Sequence, residues 1–547
     1  MSNSVERQEY VMEEFGIIFV GNVNRISKIG WNYGQFQEDI LNICLAMLDR
    51  SLSYRKDPAT DVSRRNDPKH VGRVLSAMVN SNDDNGVVLG NWSGNYTGGT
   101  SPGSWTGSIE ILRKWKDAGF KPVKYGQCWV FASVLTTVLR SLGIPTRAIS
   151  NFNSAHDVDR NLTVDEYVDG SGNPLSLGGD SVWNFHVWNE GWFTRSDLGP
   201  SYNGWQILDA TPQERSAGIF QCGPASLKAI KEGDVDLDHD TPFVFAEVNA
   251  DRITWRYDTT TRETKPIFSD TRSIGQFTST KAVGSYARVD VTGDYKYAEG
   301  SEKERQVFEK ARRKLGTVHP FASTLEKHPE IDQKPEISGK FKVDGILEIG
   351  KDISLILVLK NLTSAPKTLK ASMTAWTIVY TGKPIHEVWK DTLSATFASK
   401  EEKQFPIKIA YAAYQKLLTR DNMIRVTALC QIESGIEMVV ERTITLDNPE
   451  LIMQVIGDAK VNEPLNVEVV FTNPLDQEVK DCVLQAEGSD LLKGKLKIEM
   501  PSLKPRQSST ELVEIIPTKS GTKQLLINFT CDKFPDVKAF ETINVST

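Results

Sequence analysis

Residues 125–147 read YGQCWVFASVLTTVLRSLGIPTR. From Val130 onward the apolar residues recur at helical spacing, and the Gly-Ile-Pro of residues 143–145 is a stop signal for a helix. The pattern predicts a mainly buried helix that begins at or next to Cys128. Because the first N–H groups of a helix carry partial positive charge, they favour the thiolate form of a cysteine placed there. The alternative for Cys128 is a small buried hydrophobic residue, the usual role of a buried cysteine.

Two strand-like stretches downstream carry the base and the orienting group that a cysteine nucleophile requires. Residues 181–193 read SVWNFHVWNEGWF, and strand alternation places His186 on a rigid aromatic strand. Residues 204–214 read GWQILDATPQE, in which Asp209 follows an apolar strand and precedes a proline turn. A carboxylate one hairpin after the histidine can accept the imidazole N–H and fix its tautomer. A helix with Cys128 followed by these two strands is the layout of a papain-like core, although His186 alone also fits a hydrogen-bonded core histidine.

The composition of the chain excludes several functional classes. The 547 residues carry a formal net charge of −7, so the chain has no electrostatic preference for nucleic acid or anionic lipid. No apolar run reaches the ~18 residues of a transmembrane helix, and the polar opening is unlike a signal peptide. Six dispersed cysteines without paired spacing suit a reducing compartment. We therefore expect a cytoplasmic protein of about three or four domains that neither binds nucleic acid nor spans a membrane.

The chain changes character near residue 320. Upstream it is rich in tryptophan and glycine, whereas downstream short alternating apolar runs predict strands. Two downstream segments echo each other, with Asn361 and Asn473 in matching places, which indicates tandem β-domains. The segment between the two halves, rich in proline and charge, is predicted to be an exposed, protease-sensitive linker. The predicted divisions are a core at 1–318, the linker at 319–337, a first β-domain at 338–447 and a second β-domain at 448–547.

Oxygen-bearing side chains stand at every second position in one loop of the core. The sequence reads Asp157-Val-Asp159-Arg-Asn161-Leu-Thr163, and such alternation can curl several hard oxygens around a Ca²⁺ ion. The loop is not an EF-hand, since Leu162 stands where the turn glycine of that motif belongs. The alternative is an ordinary polar turn.

Six stretches of the chain resemble the animal transglutaminases, namely YGQCWVFA, NFNSAHD, VWNFHVWNE, GWQILDATPQE, CGPAS and FVFAEVNAD. The likeness runs over essentially the whole chain and is nearest to the epidermal, proteolytically activated branch of the family. It implies an α+β fold, with a papain-like cysteine catalytic core followed by two all-β domains of the immunoglobulin-like sandwich or barrel type. Full-length members carry an N-terminal β-sandwich, and this chain begins at what resembles the first residues of the core. We therefore expect a short isoform or a fragment.

The resemblance implies Ca²⁺-dependent acyl transfer between proteins. Cys128 is the implied nucleophile that attacks a peptidyl glutamine, ammonia leaves, and the lysine amine of another protein resolves the thioester into an isopeptide bond. His186 is the implied base and acid, and Asp209 orients it. The implied partners are glutamine- and lysine-donating proteins, with amine incorporation or deamidation as further reactions, and a protease that activates the chain at the linker. Two alternatives stay open, a cysteine protease and a catalytically silent scaffold that lacks its N-terminal domain.

The resemblance also implies a tunnel that keeps water away from the thioester. Trp92 and Trp183 match the two tryptophans that flank the tunnel in the family. The indole N–H of Trp92, together with the backbone N–H of Cys128, matches the donors that stabilise the oxyanion. Tyr380 matches the tyrosine that hydrogen-bonds the resting cysteine. For Trp183 the alternative is core packing.

Up to three Ca²⁺ sites are implied by the same resemblance. The third set of ligands includes two glutamates that also fit the solvated start of a helix. The implied ligands are Asp157, Asp159, Asn161, Thr163 and Asp180 at the first site, the carbonyls of Ala77 and Asn80 with Asn82 and Asp84 at the second, and Asn249, Glu299 and Glu304 at the third.

Overall fold

The computed structural model describes residues 3–316 and 335–547. Residues 3–316 form an α+β core in which a long buried helix packs against a six-stranded sheet. The core helices are α1 Ser4–Arg7, α2 Ile40–Arg50, α3 Leu52–Lys56, α4 Pro58–Ser63, α5 Pro68–Val79, α6 Ile109–Asp117, α7 Cys128–Ser141, α8 Leu227–Glu232, α9 Thr241–Asn249, α10 Thr292–Tyr295 and α11 Glu302–Leu315. The core strands are β1 Phe15–Asn22, β2 Arg25–Asn32, β3 Val88–Gly90, β4 Val123–Gly126, β5 Thr146–His156, β6 Thr163–Val168, β7 Pro174–Leu175, β8 Ser181–Phe193, β9 Gly204–Leu208, β10 Ala225–Ser226, β11 Asp251–Tyr257, β12 Thr264–Asp270, β13 Gln276–Lys281 and β14 Arg288–Asp290.

Helix α7 lies at the centre of the core because its sequence is apolar on every side. Each of its residues except the last is buried. The Thr136 hydroxyl donates to the Ala132 carbonyl at 2.9 Å, and the Asn189 amide of β8 donates to the same carbonyl at 2.9 Å. The Gln127 carbonyl accepts the first helical N–H groups, so the helix begins at Cys128. The helix predicted from the sequence pattern is therefore confirmed.

The six-stranded sheet brings the histidine strand next to the aspartate strand. Its order is β10–β9–β8–β5–β13–β14, with antiparallel neighbours. Asn189 of β8 pairs with Leu208, the last residue of β9. Because the chain leaves β9 at Asp209, this carboxylate emerges beside His186 of β8. Both predicted strands are confirmed.

Residues 335–547 form two β-domains that share one topology. In each domain the first, second and fifth strands form one sheet, and the other four form a second sheet in the order fourth, third, sixth, seventh. The first domain contains β15 Ile337–Val343, β16 Ile353–Asn361, β17 Lys367–Ile378, β18 Pro384–Phe397, β19 Glu402–Ile409, the short helix α12 Tyr411–Tyr414, β20 Met423–Ile432 and β21 Glu437–Thr445. The second contains β22 Leu451–Ile456, β23 Leu465–Thr472, β24 Val483–Glu487, β25 Leu496–Glu499, β26 Ser508–Ile515, β27 Gly521–Thr530 and β28 Val537–Val545.

One buried asparagine plays the same part in both β-domains. The Asn361 amide donates to the carbonyls of Ala365 at 2.8 Å and Ala398 at 2.9 Å. The Asn473 amide donates to the carbonyl of Gln477 at 2.9 Å and to a second carbonyl just before the fifth strand. Both asparagines are fully buried. Each one satisfies backbone oxygens where the second strand ends, which explains the sequence echo.

Both β-domains contact the core through ion pairs and hydrogen bonds. Arg252 of β11 pairs with Glu441 of β21 in the first β-domain at 2.5 Å. In the second β-domain, Glu487 accepts a hydrogen bond from the Thr106 hydroxyl at 2.5 Å. The first of these contacts holds the first β-domain against β11 of the core, and the second holds the other β-domain against the loop before α6.

The described part of the core ends with α11, and the first β-domain begins with β15. Helix α11 ends at Leu315 and β15 begins at Ile337, one residue before the predicted start at 338. The predicted linker lies outside the described residues up to residue 334. Across residues 3–316 and 335–547, no helix has the length and apolar character of a membrane span. The cytoplasmic location stays a prediction.

Candidate active site

Cys128, His186 and Asp209 meet at the start of α7. His186 Nε2 lies 2.6 Å from Asp209 Oδ2, and each of the three residues is at most 2% exposed. Because a carboxylate accepts, the histidine donates through Nε2. Nδ1 has no conventional hydrogen-bond partner among the described residues, and the Cys128 side chain is a polar neighbour that interacts with the ring. The structure therefore brings together the three residues predicted as a triad.

The turn after β9 holds the Asp209 carboxylate in place. Oδ1 accepts the Thr211 N–H at 2.9 Å, while Oδ2 faces His186. Burial by itself lowers the pKa of His186, but Asp209, the Cys128 side chain and Glu247 together raise it, so the pKa lies well above its usual value. At neutral pH the ring is therefore favoured in its protonated form, which is suited to pair with a thiolate.

Two polar side chains that the sequence analysis did not single out complete the surroundings of His186. The amide nitrogen of Gln213 lies 2.9 Å from His186 Nε2. The same nitrogen lies 3.3 Å from Asp209 Oδ2 and 3.1 Å from Glu247 Oε1. Burial raises the pKa of Glu247, near the end of α9, to about 8. Gln213 lies within the quoted GWQILDATPQE motif, but nothing in the sequence pattern places α9 beside β8.

A tyrosine of the first β-domain covers the cysteine. The Tyr380 hydroxyl accepts a hydrogen bond from the Trp92 indole N–H at 2.8 Å. The side chain and the backbone N–H of Cys128 interact with the same hydroxyl. Burial raises the pKa of Tyr380 well above its usual value, so the group is a neutral phenol. Two N–H donors therefore converge on one oxygen atom next to the Cys128 side chain.

The backbone of Tyr380 is held at both ends. Its N–H donates to Asp421 Oδ2 at 2.7 Å, and its carbonyl accepts the Asn184 N–H at 2.7 Å. Burial raises the pKa of the Asp421 carboxyl to about 6. Asn184 belongs to β8, the strand that carries His186, so the strand of the histidine also fixes the tyrosine.

Aromatic rings enclose this group of residues. Trp92 stacks on Phe131 of α7, with 6.2 Å between ring centroids. Trp183 meets the His186 ring edge-on at 5.1 Å and the Tyr380 ring at 5.7 Å. Trp183 is therefore part of the core packing and also a wall of the candidate site.

Two openings lie near the candidate site, and the larger one borders the start of α7. A cavity of about 480 Å³ is lined by Trp92, Trp183 and Asp180 and extends to the first β-domain. A cleft of about 1230 Å³ lies where the core meets both β-domains and reaches Gln127 and Trp129. Each opening is large enough for a side chain of a protein substrate.

Three carboxylates of the first predicted metal-ligand group converge. Asp157, Asp159 and Asp180 place carboxylate oxygens within 4.8 Å of one another. Burial raises the pKa of Asp157 to about 7 and that of Asp180 to about 6. The Asn161 amide donates to Asp159 at 3.1 Å, and the Thr163 N–H donates to Asn161 at 2.6 Å. The structure thus brings the three carboxylates together and links Asn161 and Thr163 to them by hydrogen bonds, and the chemistry of these oxygen donors fits a divalent cation.

The second predicted group lies at the C-terminal end of α5. Ala77 is in the last turn and Asn80 caps the helix, so their carbonyls lie at the end that favours a cation. The Asn82 N–H donates to the Asn80 side chain at 3.1 Å. Burial raises the pKa of Asp84 to about 7. This loop offers hard oxygen donors and a buried carboxyl group, which fit Ca²⁺.

In the third predicted group, both glutamates already form ion pairs with basic side chains. Glu299 pairs with Lys296, whose ammonium also donates to the carbonyl of the residue before Asn249. Glu304 pairs with the arginine that follows it at 2.5 Å. Glu299 Oε2 is buried without a hydrogen-bond partner among the described residues. Oε2 of Glu299 therefore fits a cation, while Oε1 of the same carboxylate already faces the Lys296 ammonium.

Burial raises the pKa of the five other cysteines. It raises the pKa of Cys44 and Cys430 to about 12 and that of Cys482 to about 11. The pKa of Cys222 and that of Cys531 are also raised, mainly by burial. These thiols stay protonated at neutral pH.

Family models and relatives match the chain along its length. Residues 109–210 match the transglutaminase-like superfamily, and residues 337–441 and 449–547 match the transglutaminase family C-terminal Ig-like domain. The chain is 62% identical to protein-glutamine gamma-glutamyltransferase E of Bos taurus and 61% identical to the Homo sapiens protein of that name. In both cases the whole chain aligns with 79% of the relative. The chain belongs to the transglutaminase family.

A solved transglutaminase has the same fold. The crystal structure of red sea bream transglutaminase is 39% identical, with a TM-score of 0.91 over the whole chain and 79% of that structure. The family and the α+β fold predicted from the motifs are confirmed. The curated names at this identity make the chain a protein-glutamine γ-glutamyltransferase, so the cysteine-protease alternative is set aside.

Removing the tyrosine hydroxyl tests whether it restrains the cysteine of this transglutaminase. We expect Tyr380→Phe to raise the rate of Cys128 alkylation by iodoacetamide about fivefold, because a hydrogen bond contributes about 1 kcal/mol. Mass spectrometry of the labelled peptides at neutral pH without added metal gives the rate.

Tyr414→Phe is the matched control for this substitution. It removes another buried hydroxyl of the first β-domain, which donates to the Lys351 carbonyl at 2.6 Å, and it leaves the active-site face intact. We expect wild-type alkylation from this variant. Equal rates for Tyr380→Phe and Tyr414→Phe would contradict the restraining role of Tyr380.

Proposed function

We propose that this transglutaminase moves the acyl group of a peptidyl glutamine through a thioester on Cys128 to the lysine amine of another protein. One observation carries the proposal. The Cys128 side chain, the His186–Asp209 pair and two convergent N–H donors lie at one point beside openings large enough for substrate side chains.

The proposed cycle returns every group of the enzyme to its starting state. The Cys128 sulfur bonds to the carboxamide carbon, and the carbon–nitrogen bond breaks as His186 gives its proton to the departing ammonia. The incoming amine then bonds to the thioester carbon while His186 takes one of its protons. The carbon–sulfur bond breaks and the thiolate returns. Asp209 keeps the ring oriented through both halves.

The position of the Tyr380 hydroxyl supports a role for its two partners in stabilising the oxyanion. Each tetrahedral intermediate carries negative charge on the former carbonyl oxygen. The Trp92 indole N–H and the Cys128 backbone N–H already converge on one oxygen, that of Tyr380. A substrate oxygen in that place would receive both bonds, and one such donor is worth about 10²- to 10³-fold in rate. The tyrosine must leave for the substrate to react.

The aromatic walls support exclusion of water from the thioester. An amine must compete with water at about 55 M, and a dry site favours the amine. Trp92 and Trp183 line the cavity of about 480 Å³, which also reaches Asp180 of the carboxylate group. We take this cavity as the route of the acceptor amine.

We further propose that the three oxygen-rich groups hold Ca²⁺. The converging carboxylates of Asp157, Asp159 and Asp180, the buried Asp84 and the unpartnered oxygen of Glu299 support this assignment. A bound Ca²⁺ supplies positive charge that offsets the repulsion between crowded carboxylates. Asp180 also lines the cavity proposed as the route of the acceptor amine. A Ca²⁺ ion that fixes the Asp180 side chain would therefore also fix part of the wall of that cavity.

Cys128→Ala tests the nucleophile. We expect the variant to lose incorporation of a labelled primary amine into casein, with thermal stability within about 1 kcal/mol of the wild type. Cys430→Ala, which removes a buried thiol of the first β-domain, is the control and should keep full activity. Activity in Cys128→Ala would overturn the assignment, and an inactive wild type would favour the silent scaffold.

Asp157→Asn tests the first Ca²⁺ site with a readout that does not depend on activity. A ligand present at 100 times its Kd stabilises a fold by about 2.7 kcal/mol, so Ca²⁺ should raise the melting temperature of the wild type. We expect Asp157→Asn to weaken the Ca²⁺-induced rise and to need at least about tenfold more Ca²⁺ for half-maximal transfer. Asp117→Asn, an exposed acid of the core, should behave as wild type. An unchanged calcium response in Asp157→Asn would remove this site.

We also propose that cleavage in the segment 319–334 activates the enzyme, because it frees the first β-domain to carry Tyr380 away from Cys128. A site-specific protease sequence placed in this segment allows a single cut. We expect the cut chain to show a several-fold higher Ca²⁺-dependent rate of amine incorporation. The unmodified chain treated with the same protease is the control. Equal rates before and after complete cleavage would count against this form of activation.

A further inference from the structure

The amide of Gln213 lies between two carboxyl groups that both approach the catalytic histidine. Asp209 Oδ2 is 2.6 Å from His186 Nε2, and Glu247 Oε1 is 3.6 Å from the same nitrogen. His186 Nε2 has one N–H to donate. The two carboxyl groups are therefore rival acceptors for one hydrogen bond.

Gln213 has the chemistry to settle this competition. Its amide nitrogen carries two N–H donors, and it lies 3.3 Å from Asp209 Oδ2 and 3.1 Å from Glu247 Oε1. One donor thus reaches each rival carboxyl, and the same nitrogen lies 2.9 Å from His186 Nε2, so the amide lies where the histidine and both carboxyl groups meet. Glu247 Oε2 has no partner among the described residues, so Oε1 and its bond to Gln213 hold this side chain in place.

The turn after β9 fixes the amide relative to Asp209. The Thr211 N–H donates to Asp209 Oδ1 at 2.9 Å, and the Gln213 N–H donates to the Thr211 carbonyl at 2.9 Å. The orienting carboxylate and the amide beside it therefore belong to one turn of five residues, 209–213. A shift of one carries the other with it.

We propose that Gln213 is a positioning residue that keeps Asp209, and not Glu247, as the partner of His186 through the acyl-transfer cycle. The inference rests on the roles of His186 and Asp209 proposed above. Nε2 already faces both carboxyl groups, so a small shift of Glu247 toward the ring would exchange one acceptor for the other. The Gln213 amide restrains Glu247 at its longer distance and adds a second donor to Asp209.

Gln213→Met removes both N–H donors and keeps a side chain of similar length. We expect kcat for amine incorporation to fall about 10- to 100-fold, the range seen when a catalytic group loses its positioning partner. KM for the glutamine peptide should stay within about twofold, because the amide does not touch the substrate. Gln221→Met is the control, since that amide lies in the same region and donates to the Ser216 carbonyl at 2.9 Å.

A double variant separates positioning from simple structural support. If Glu247 is the rival acceptor, replacing it in Gln213→Met/Glu247→Met should restore at least about tenfold of the lost kcat. A merely structural role for Gln213 predicts a further loss in the double variant. Melting temperatures of all variants identify any that fail to fold. If Gln213→Met fails to fold, Gln213→Asn takes its place in the same measurements, because its shorter side chain cannot reach both carboxyl groups.

The outcomes also separate this inference from the proposed function. A wild-type kcat in Gln213→Met, or no recovery in the double variant, overturns the positioning role while Cys128→Ala stays inactive. Activity in Cys128→Ala, measured beside these variants, overturns the thioester mechanism itself.

Discussion

The active site depends on a single oxygen atom, the Tyr380 hydroxyl, and on the two N–H groups directed at it. One N–H belongs to the Trp92 indole and the other to the first residue of α7. The tyrosine comes from a different domain than the cysteine. The packing of the first β-domain on the core therefore determines whether Cys128 is accessible. The backbone bonds to Asp421 and Asn184 reinforce this link, because they fix the tyrosine from both sides of the domain boundary.

Buried carboxyl groups are the second recurring constraint. Burial raises the pKa of Glu247 to about 8, that of Asp421 to about 6 and that of Asp157 to about 7. A buried carboxyl group costs free energy unless donors or a cation satisfy it. At Glu247 the donor is the Gln213 amide, and at Asp421 it is a backbone N–H. The Asp157 group instead contains several carboxylates together, which suits an ion better than another hydrogen bond.

Local patterns predicted the parts of the site that lie on regular elements. The period of α7, the alternation of β8 and the apolar run before Asp209 gave the positions of the triad, because each pattern spans only a few residues. The contact of Asp421 with Tyr380 joins two loops of one β-domain and has no such pattern. Glu247 lies on a helix whose packing against β8 is set by the whole core. Gln213 belongs to the GWQILDATPQE motif, but its position depends on the distances from its amide to His186, Asp209 and Glu247, which the sequence does not give.

The two β-domains show the same contrast. Their alternating runs predicted strands, and the echo around Asn361 and Asn473 predicted a repeat, but the sheet order of the repeat required the structure. The fully buried Asn361 amide has a further consequence. Asn361-Leu-Thr has the sequence of an N-glycosylation acceptor, yet both hydrogens of the amide are engaged with backbone carbonyls. An oligosaccharide attached there during synthesis would prevent the end of β16 from closing, so passage of this chain through a glycosylating compartment would impair folding of its first β-domain.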